Sequence, residues 1–411
     1  MSVLKRVIFV DDEPRVLDGL RRMLREMRRE WDMTFVDSGD EALKAIEQQP
    51  FDVVVSDMRM PVMDGAELLD EVRKRCPSAV RVILSGHSGR ELILKSLGPT
   101  HQFLSKPCDA EDLKAAVARA CALRDLLDDD KLKAVVANVK TLPSVPALYK
   151  KLLDILKSPD CPIQEVADVI GSDVGMTAKI LQLVNSAFFG LRRHIDGLNQ
   201  AILYLGLETV RSVVLSAGVF AELEATPQTH QTAEALYPHS VTVGTLSEQI
   251  AKSSYPERER TDDVLTAGML HDVGKLIMAA QLPDAFEEVC RRAREDGVPP
   301  HEAEQEILGI THAELGAYLL GLWGLPEPLV EAVAFHHHPP RGYSRASEIL
   351  TAVHVTNGLV HEGECDVTES HPSRIDMAYL EEVHLADRLP QWRALCATAL
   401  GEEQEGAGTS E

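Results

Sequence analysis

Apolar and polar residues change rhythm once along the chain. Up to about residue 125, short apolar runs alternate with amphipathic stretches. The runs are VIFV (Val7–Val10), MTFV (Met33–Val36), DVVVS just before Asp57, VRVIL (Val80–Leu84) and the pair Phe103, Leu104. The runs predict strands and the stretches between them predict helices. Pro14 suits the first position of the first helix. Ser38, with Glu41 three residues on, predicts a capping box for the next. Repeated strand–helix units with mostly apolar strands predict a five-stranded parallel sheet covered on both faces.

After LPSVP (Leu142–Pro146) the strand patterns nearly vanish. ALYKKLLDIL, IQEVADVIG, TAKILQLVNSAFF, LNQAILYLGLETVRSVVL, VTVGTLSEQIAK and DDVLTAGMLHDVGKLIM read as helices joined by short turns. No repeat period supports a solenoid, so an all-α bundle is expected. The end, GEEQEGAGTSE (401–411), is acidic and rich in small residues, and disorder is expected there. Between the halves, from Ala110 to about Val139, Leu113, Val117, Ala120 and Leu127 recur at helical steps, interrupted by Asp128–Asp130. Two readings of this connector stay open. It is either a long helix that carries a signal and pairs with a second copy as a homodimer, or a terminal helix followed by a linker. The heptads are too few to assign a coiled coil.

A chain of 411 residues predicts two or three domains. The boundaries expected are 1–122, a helical linker at 123–140, a helical domain at 141–400 and the tail. The net charge of −23 disfavours binding to a phosphate backbone, so no DNA partner is expected. The basic cluster RRMLREMRRE shares its predicted helix with Glu26 and Glu30 and reads as a solvated face. Seven cysteines without a C-x-x-C pair suit reduced thiols better than disulfides or a thiolate zinc site. No apolar run approaches the roughly 18 residues that suggest a membrane span. The N-terminal apolar stretch is too short for a secretory leader, and the cytoplasm is the expected location.

The chemistry lies at the strand ends. Ligands of parallel sheets sit beyond the carboxyl ends of the strands. Asp11 and Asp12 follow the first strand, Asp57 ends the third, Ser85 follows the fourth, and Lys106 follows the fifth. Three carboxylates on one edge repel each other unless a cation joins them, and hard oxygen ligands suit Mg²⁺. Magnesium would polarise an incoming phosphoryl group for attack by Asp57. Lys106 would neutralise phosphate charge and Ser85 would donate a hydrogen bond.

The motifs FVDDE, SDMRMPVMDG, ILSG and FLSKP, over roughly residues 5–122, resemble the receiver domain of two-component response regulators. The resemblance implies a flavodoxin-like α/β domain in which Asp57 takes phosphate from a partner sensor histidine kinase. It implies Mg²⁺ held by Asp11, Asp12, Asp57 and the backbone carbonyl of Arg59. Ser85 and Phe103 would be the switch pair, with Phe103 standing where many relatives carry tyrosine. A haloacid-dehalogenase-type phosphatase would want aspartates two apart after the first strand, and Asp11 and Asp12 are adjacent.

Histidines concentrate late: 11 of 15 lie at or after His239. His271 and Asp272 fall inside the apolar helical stretch GMLHDVGKLIM, where an aspartate needs a partner. His336, His337 and His338 close the apolar LVEAVAFHHHP, and His239 and His312 are expected at or near helix starts. Imidazoles and a carboxylate gathered between helices suit Mn, Fe or Zn. The alternative is a set of surface or satisfied core histidines.

LPSVP, SDVGMTAKILQLVNSAFFG, AILYLGLETVRSVVL and LHDVGK, over roughly 140–385, resemble the HDOD domain, a relative of the HD phosphohydrolases. The resemblance implies a regulatory output module with an HD-like subdomain at about 230–385. Matched to catalytic HD phosphodiesterases, the chain retains His239, His271, Asp272, His312, His336 and His337 as metal-ligand positions. Lys275 falls at a phosphate-contact position. Asn357 stands where those enzymes have a ligating aspartate, and RGYS (Arg341–Ser344) where they have a GYP segment. The expectation is a response regulator whose phosphorylation acts through the linker on a helical module that binds an unidentified protein partner. The alternative is a receiver-gated metal-dependent phosphohydrolase acting on a cyclic dinucleotide or nucleotide.

Overall fold

The structure, a computed structural model, describes residues 4–85, 100–106, 110–126, 130–137, 139, 146–156, 161–185, 195, 197–206, 210, 227–255, 261–343, 347–364 and 375–407. The chain divides into two compact units. The first is Met1–Thr141 with Gln182–His194 and Tyr318–Leu325, and the second is Leu142–Leu181, Ile195–Ala317 and Pro326–Glu411.

The first unit is built on β1 (Lys5–Val10), β2 (Trp31–Val36), β3 (Val53–Asp57), β4 (Val80–Ser85) and β5 (Gln102–Ser105), all parallel, in the order β2-β1-β3-β4-β5. This is the doubly wound order in which the edge beyond the strands' carboxyl ends carries the ligand site. β3 is buried along its whole length, as its apolar run predicts. Arg81, the charge in β4, is fully buried, donating to the Pro77 and Ala79 carbonyls at 3.3 Å with His101 Nε2 2.6 Å away. Burial pushes its pKa down to about 9. The helices are α1 (Pro14–Met23), α2 (Gly39–Gln48), α3 (Gly65–Arg75) and α4 (Ala110–Leu126), followed by α5 (Asp130–Ala137). Pro14 opens α1 as expected.

Two local expectations change here. Ser38 is the N-cap of α2, but its hydroxyl makes no cap bond. The capping box is made by Asp64 and Glu67 at α3 instead, next to the carboxylate edge. The basic cluster does not lie on one helix: α1 ends at Met23 and Arg25–Arg29 form a 3₁₀ turn. Its arginines are exposed, as a solvated face requires.

Among its described residues the second unit contains helices and no β-strand. It begins with α6 (Pro146–Leu156), α7 (Ile163–Gly171), α8 (Val174–Val184) and α9 (Leu198–Leu205). Then come α10 (Pro227–Ser254), α11 (Asp262–Leu270), α12 (Val273–Gln281), α13 (Pro283–Asp296), α14 (Pro300–Leu308), α15 (His312–Leu322) and α16 (Glu327–Phe335). It closes with α17 (Glu348–Glu364), α18 (Met377–Glu382) and α19 (Leu389–Ala407). α11 and α17 pack on α10, and α16 packs on both. Most of LPSVP and of NSAFFG lies outside the described residues, as do residues 127–129 of the connector. The tail expected to be disordered is helical to Ala407, because Glu402, Glu403, Gln404 and Glu405 are good helix formers that extend α19; residues 408–411 lie outside the described residues.

His239 lies midway along α10, not at a helix start, because the helix continues through Pro238. His271 and Asp272 are not inside one helix. α11 stops at Leu270, His271 is its C-cap, and Asp272 is the N-cap of α12. An aspartate at a helix N-terminus is favoured by the free N–H groups and the dipole there. α12 then meets the start of α15 so closely that a Cβ on Gly274 would stand 1.9 Å from the His312 carbonyl oxygen. Gly274→Ala is therefore expected to cost at least about 1–3 kcal/mol of stability, read as a lower thermal midpoint. An unchanged midpoint would show that the two helices part freely.

Candidate functional site

At the edge of the sheet, Asp11 is buried and Asp57 is nearly so. Lys106 Nζ donates to Asp11 Oδ2 at 2.6 Å and also to Asp57 Oδ1. Asp57 Oδ2 accepts from the Arg59 N–H at 2.6 Å, and Asp11 Oδ1 from the Glu13 N–H at 3.0 Å. Burial works against the charge on Lys106, but Asp11 and Asp57 outweigh it and raise its pKa above the ordinary lysine value. The backbone below is tight. Ser56 Oγ donates to the Asp57 carbonyl at 2.8 Å, and a Cβ on Gly65 would lie 2.2 Å from that same oxygen. Gly65 therefore lets the loop fold back over β3 and hold Asp57 in place. Asp12 is half-buried on the same loop as Asp11. The donors are hard oxygens with an ammonium between them, a set that suits Mg²⁺ and a phosphoryl group. Ser85 and Phe103 lie on β4 and β5; their side chains are outside the described residues.

The second unit gathers His239, His271, Asp272, His312, His336, His337 and Asn357 from six helices and their ends. Asp272 lies at the centre. Its Oδ2 is 3.3 Å from His271 Nε2, 3.8 Å from His239 Nε2 and 2.7 Å from Lys275 Nζ. Its Oδ1 is 3.0 Å from His312 Nε2 and 3.9 Å from His336 Nε2. One carboxylate oxygen thus faces each of two ligand groups: His239, His271 and Asp272, and His312, His336 and His337. His337 Nε2 is 3.1 Å from His312 Nε2, and Asn357 Oδ1 is 3.2 Å from His239 Nε2.

Two ligands each about 2.1 Å from one cation stand about 3.0–3.4 Å apart at octahedral or tetrahedral angles. The shortest separations in this cluster fall in that range. The hydrogen-bond count agrees. His271 Nε2, Asp272 Oδ1 and His336 Nε2 are buried without a hydrogen-bond partner. His312 Nε2 stands 3.0 Å from Asp272 Oδ1 and is the nearest protein group to it. Each orphaned polar atom costs about 1–3 kcal/mol, and a shared cation would remove that cost.

The outer bonds aim the rings. His271 Nδ1–H donates to the Gly268 carbonyl at 2.6 Å and His336 Nδ1–H to the Val333 carbonyl at 2.9 Å. A carbonyl only accepts, so Nδ1 carries the proton and Nε2 offers its lone pair inward. His312 Nδ1 donates instead to the buried Glu304 carboxylate, 2.7 Å away. Burial lowers the His271, His336 and His337 pKa values, with neighbouring histidines adding to the effect. Burial also acts on His312, but Glu304 and Asp272 outweigh it and raise its pKa to about 9. Burial alone would raise the Asp272 carboxyl, yet His271, Lys275 and His312 hold it well below the usual range.

The structure therefore brings together His239, His271, Asp272, Lys275, His312, His336, His337 and Asn357, while His338 is exposed outside the cluster. It also adds three that sequence reasoning did not single out. Glu304 backs His312 from α14. His301 stacks on His337 with centroids 4.1 Å apart, and burial pushes its pKa down to about 3. His361 lies on α17 beside His239. Glu304 stands eight residues before its partner, beyond any local motif. Of RGYS, Arg341 to Tyr343 are described, with Tyr343 exposed, and Ser344 lies outside the described residues.

The family model of the response regulator receiver domain matches residues 7–118, and that of the HDOD domain matches residues 142–339. The chain is 26% identical over 230 residues to an uncharacterized protein of Treponema pallidum (strain Nichols), covering 55% of this chain and 44% of that protein. It is 38% identical over 125 residues to the hydrogenase transcriptional regulatory protein HoxA of Cupriavidus necator, covering 30% of this chain and 25% of the relative. The chain thus spans less than half the length of these curated relatives. Among solved structures, a virulence factor from Campylobacter jejuni subsp. jejuni matches with a TM-score of 0.50 and 20% identity, over 64% of this chain and 90% of that one. The response regulator MmoQ from Methylococcus capsulatus str. Bath matches with a TM-score of 0.46 and 24% identity, over 62% and 98%. Among the described residues no helix is long and apolar enough to cross a membrane.

Glu304→Gln keeps the shape of that side chain but removes the charge behind His312. Zinc affinity of the His312 group, read by chelator competition, is expected to fall about 10–100-fold. An unchanged affinity would mean that Glu304 only fills space.

Proposed function

The chain is a response regulator that joins a receiver domain to an HDOD domain, and from that premise we propose that it converts phosphorylation of Asp57 into a change in its helical output unit. The phosphodonor is a sensor histidine kinase. The observation that carries this reading is Lys106 bridging Asp57 and Asp11 at the sheet edge. Asp11, Asp12, Asp57 and the Arg59 carbonyl would hold Mg²⁺, which would neutralise charge on the incoming phosphoryl group. An Asp57 carboxylate oxygen forms the new P–O bond as the P–N bond of the donor phosphohistidine breaks, and the histidine nitrogen leaves with the electron pair. Lys106 then exchanges one carboxylate for a phosphoryl oxygen, which Ser85 also contacts. Phe103 turns inward, and α4 and α5 carry the change to the HDOD domain, which binds a protein partner.

The output unit also supports a second reading. Three buried orphan atoms around Asp272 favour a metal centre of the Fe, Mn or Zn class. Such a metal lowers the pKa of bound water and so supplies a nucleophile. Around it, His271 and His336 aim their Nε2 lone pairs inward, His312 turns its Nε2 to Asp272 Oδ1, and Lys275 stands ready to meet a phosphate oxygen. This would make the unit a receiver-gated phosphohydrolase for a cyclic dinucleotide or nucleotide. The neutral Asn357 weakens that reading, since it gives less charge to the metal than a carboxylate would.

Incubation with acetyl phosphate and Mg²⁺ is expected to put about one phosphate on the wild-type chain. None is expected on Asp57→Asn, with mass spectrometry as the readout. Equal labelling of the variant would contradict the assignment of Asp57.

A further inference from the structure

The loop from Met58 to Gly65, which follows Asp57, is tied down at several points. The Arg59 N–H donates to Asp57 Oδ2, and the Gly65 N–H donates to the Met58 carbonyl at 2.9 Å. The Met63 side chain packs on Gly39, and Asp64 and Glu67 close the capping box that starts α3. Between these ties the chain turns sharply. The Met63 N–H donates to the Pro61 carbonyl, two residues back, at 2.8 Å, and Val62 between them has a φ of +73°. This is the strained form of the γ-turn.

The turn explains the backbone but not the side chain. Positive φ suits glycine and is tolerated by asparagine and aspartate, whereas a β-branched residue there is an outlier. Among the described residues the other non-glycine residue with positive φ is a histidine, His384. Packing within the chain does not offset the strain at Val62. At 98% exposure it is the most exposed large apolar side chain among the described residues. Its place decides what it can meet. β1 and β3 are parallel neighbours in the sheet, so the loops that carry Asp11, Asp12 and Val62 leave the same edge side by side. A donor imidazole must come within bonding distance of an Asp57 oxygen, so a protein donor covers the loops around that oxygen. A small donor such as acetyl phosphate does not.

We infer that Val62 is the apolar anchor on which the phosphodonor protein docks, fitting a recess beside its phosphohistidine. The inference rests on the phosphorylation of Asp57 by a sensor histidine kinase proposed above. Docking takes the isopropyl group out of water, a gain that the free chain lacks. The fixed turn and the stiff β-branched side chain hold the anchor in place before the partner arrives, so little freedom is lost on binding. The competing reading is that Val62 only shapes the loop that supports Asp57.

The test uses the full chain and two phosphodonors. One is acetyl phosphate, and the other is the autophosphorylated sensor histidine kinase that labels the wild type fastest among those of the same cell. Val62→Asn and Val62→Gly suit the positive φ and remove the apolar anchor. Both are expected to keep or raise the thermal midpoint and to be labelled by acetyl phosphate at the wild-type rate. Transfer from the kinase is expected to slow about tenfold at low concentrations of the chain, as burial of a valine side chain implies. At saturating concentrations it is expected to return to the wild-type rate. Val62→Ile keeps an apolar β-branched side chain and is expected to accept phosphate as the wild type does. An unchanged kinase rate in Val62→Asn would overturn the inference and leave phosphorylation of Asp57 standing. Equal slowing with both donors would also overturn it and assign Val62 to the support of the loop. Labelling of the wild type by acetyl phosphate but by no kinase would remove the docking partner and with it the inference. Failure of both donors on the wild type would remove phosphorylation of Asp57 and the inference together.

Discussion

Asp272 is a carboxylate at 1% exposure inside an all-helical unit, and the arrangement around it follows from that burial. A buried ion costs several kcal/mol unless opposite charge and hydrogen bonds meet it. Lys275, His239 and His271 face one oxygen, and His312 and His336 face the other. To achieve this, α11 must stop at Leu270 so that His271 and Asp272 turn into the bundle from a helix junction. Gly274 must lack a side chain so that the start of α15 can bring His312 within 3.0 Å. Glu304 is buried with His312 and holds that ring's far nitrogen. The backbone is thus shaped around a charge whose remaining lone pairs face inward.

The sheet edge of the first unit works differently. Asp57 and Asp11 share one ammonium, Lys106, and are not enclosed by a cluster. β3 gives Asp57 a rigid base, while Gly65 and the Asp64–Glu67 capping box fix the loop that follows. Under the proposed phosphorylation, a lysine shared by two carboxylates would find an alternative partner in the phosphoryl group. That makes the edge a place where one added group redistributes contacts, whereas the Asp272 site is built to stay as it is.

The amino-acid pattern made much of this legible. Strand positions followed from apolar runs whose burial on both faces needs no alternation, and the strand ends named Asp11, Asp12, Asp57 and Lys106. The histidine cluster was legible because His271, Asp272 and the triple histidine are chemically conspicuous in apolar surroundings. What stayed hidden has physical causes. Glu304, His301 and His361 look like ordinary helix-surface residues until packing brings them to the cluster, and such contacts leave no local signal. The break between α11 and α12 was invisible because hydrophobic periodicity runs straight through it. His239 was expected near a helix start, yet α10 passes through Pro238 and places it midway. The acidic tail was misread because composition speaks to the lack of a core, while helix propensity lets Glu402 to Glu405 extend an existing helix.

The metal-centre reading of the output unit stands on the histidines gathered around Asp272. Its most direct test is the metal content of the full chain purified without oxygen, measured beside His271→Ala. Near-stoichiometric iron, manganese or zinc in the wild type, lost in the variant, is the predicted result. No metal in the wild type, even after incubation with each of these ions, would contradict it and leave the cluster as a polar core.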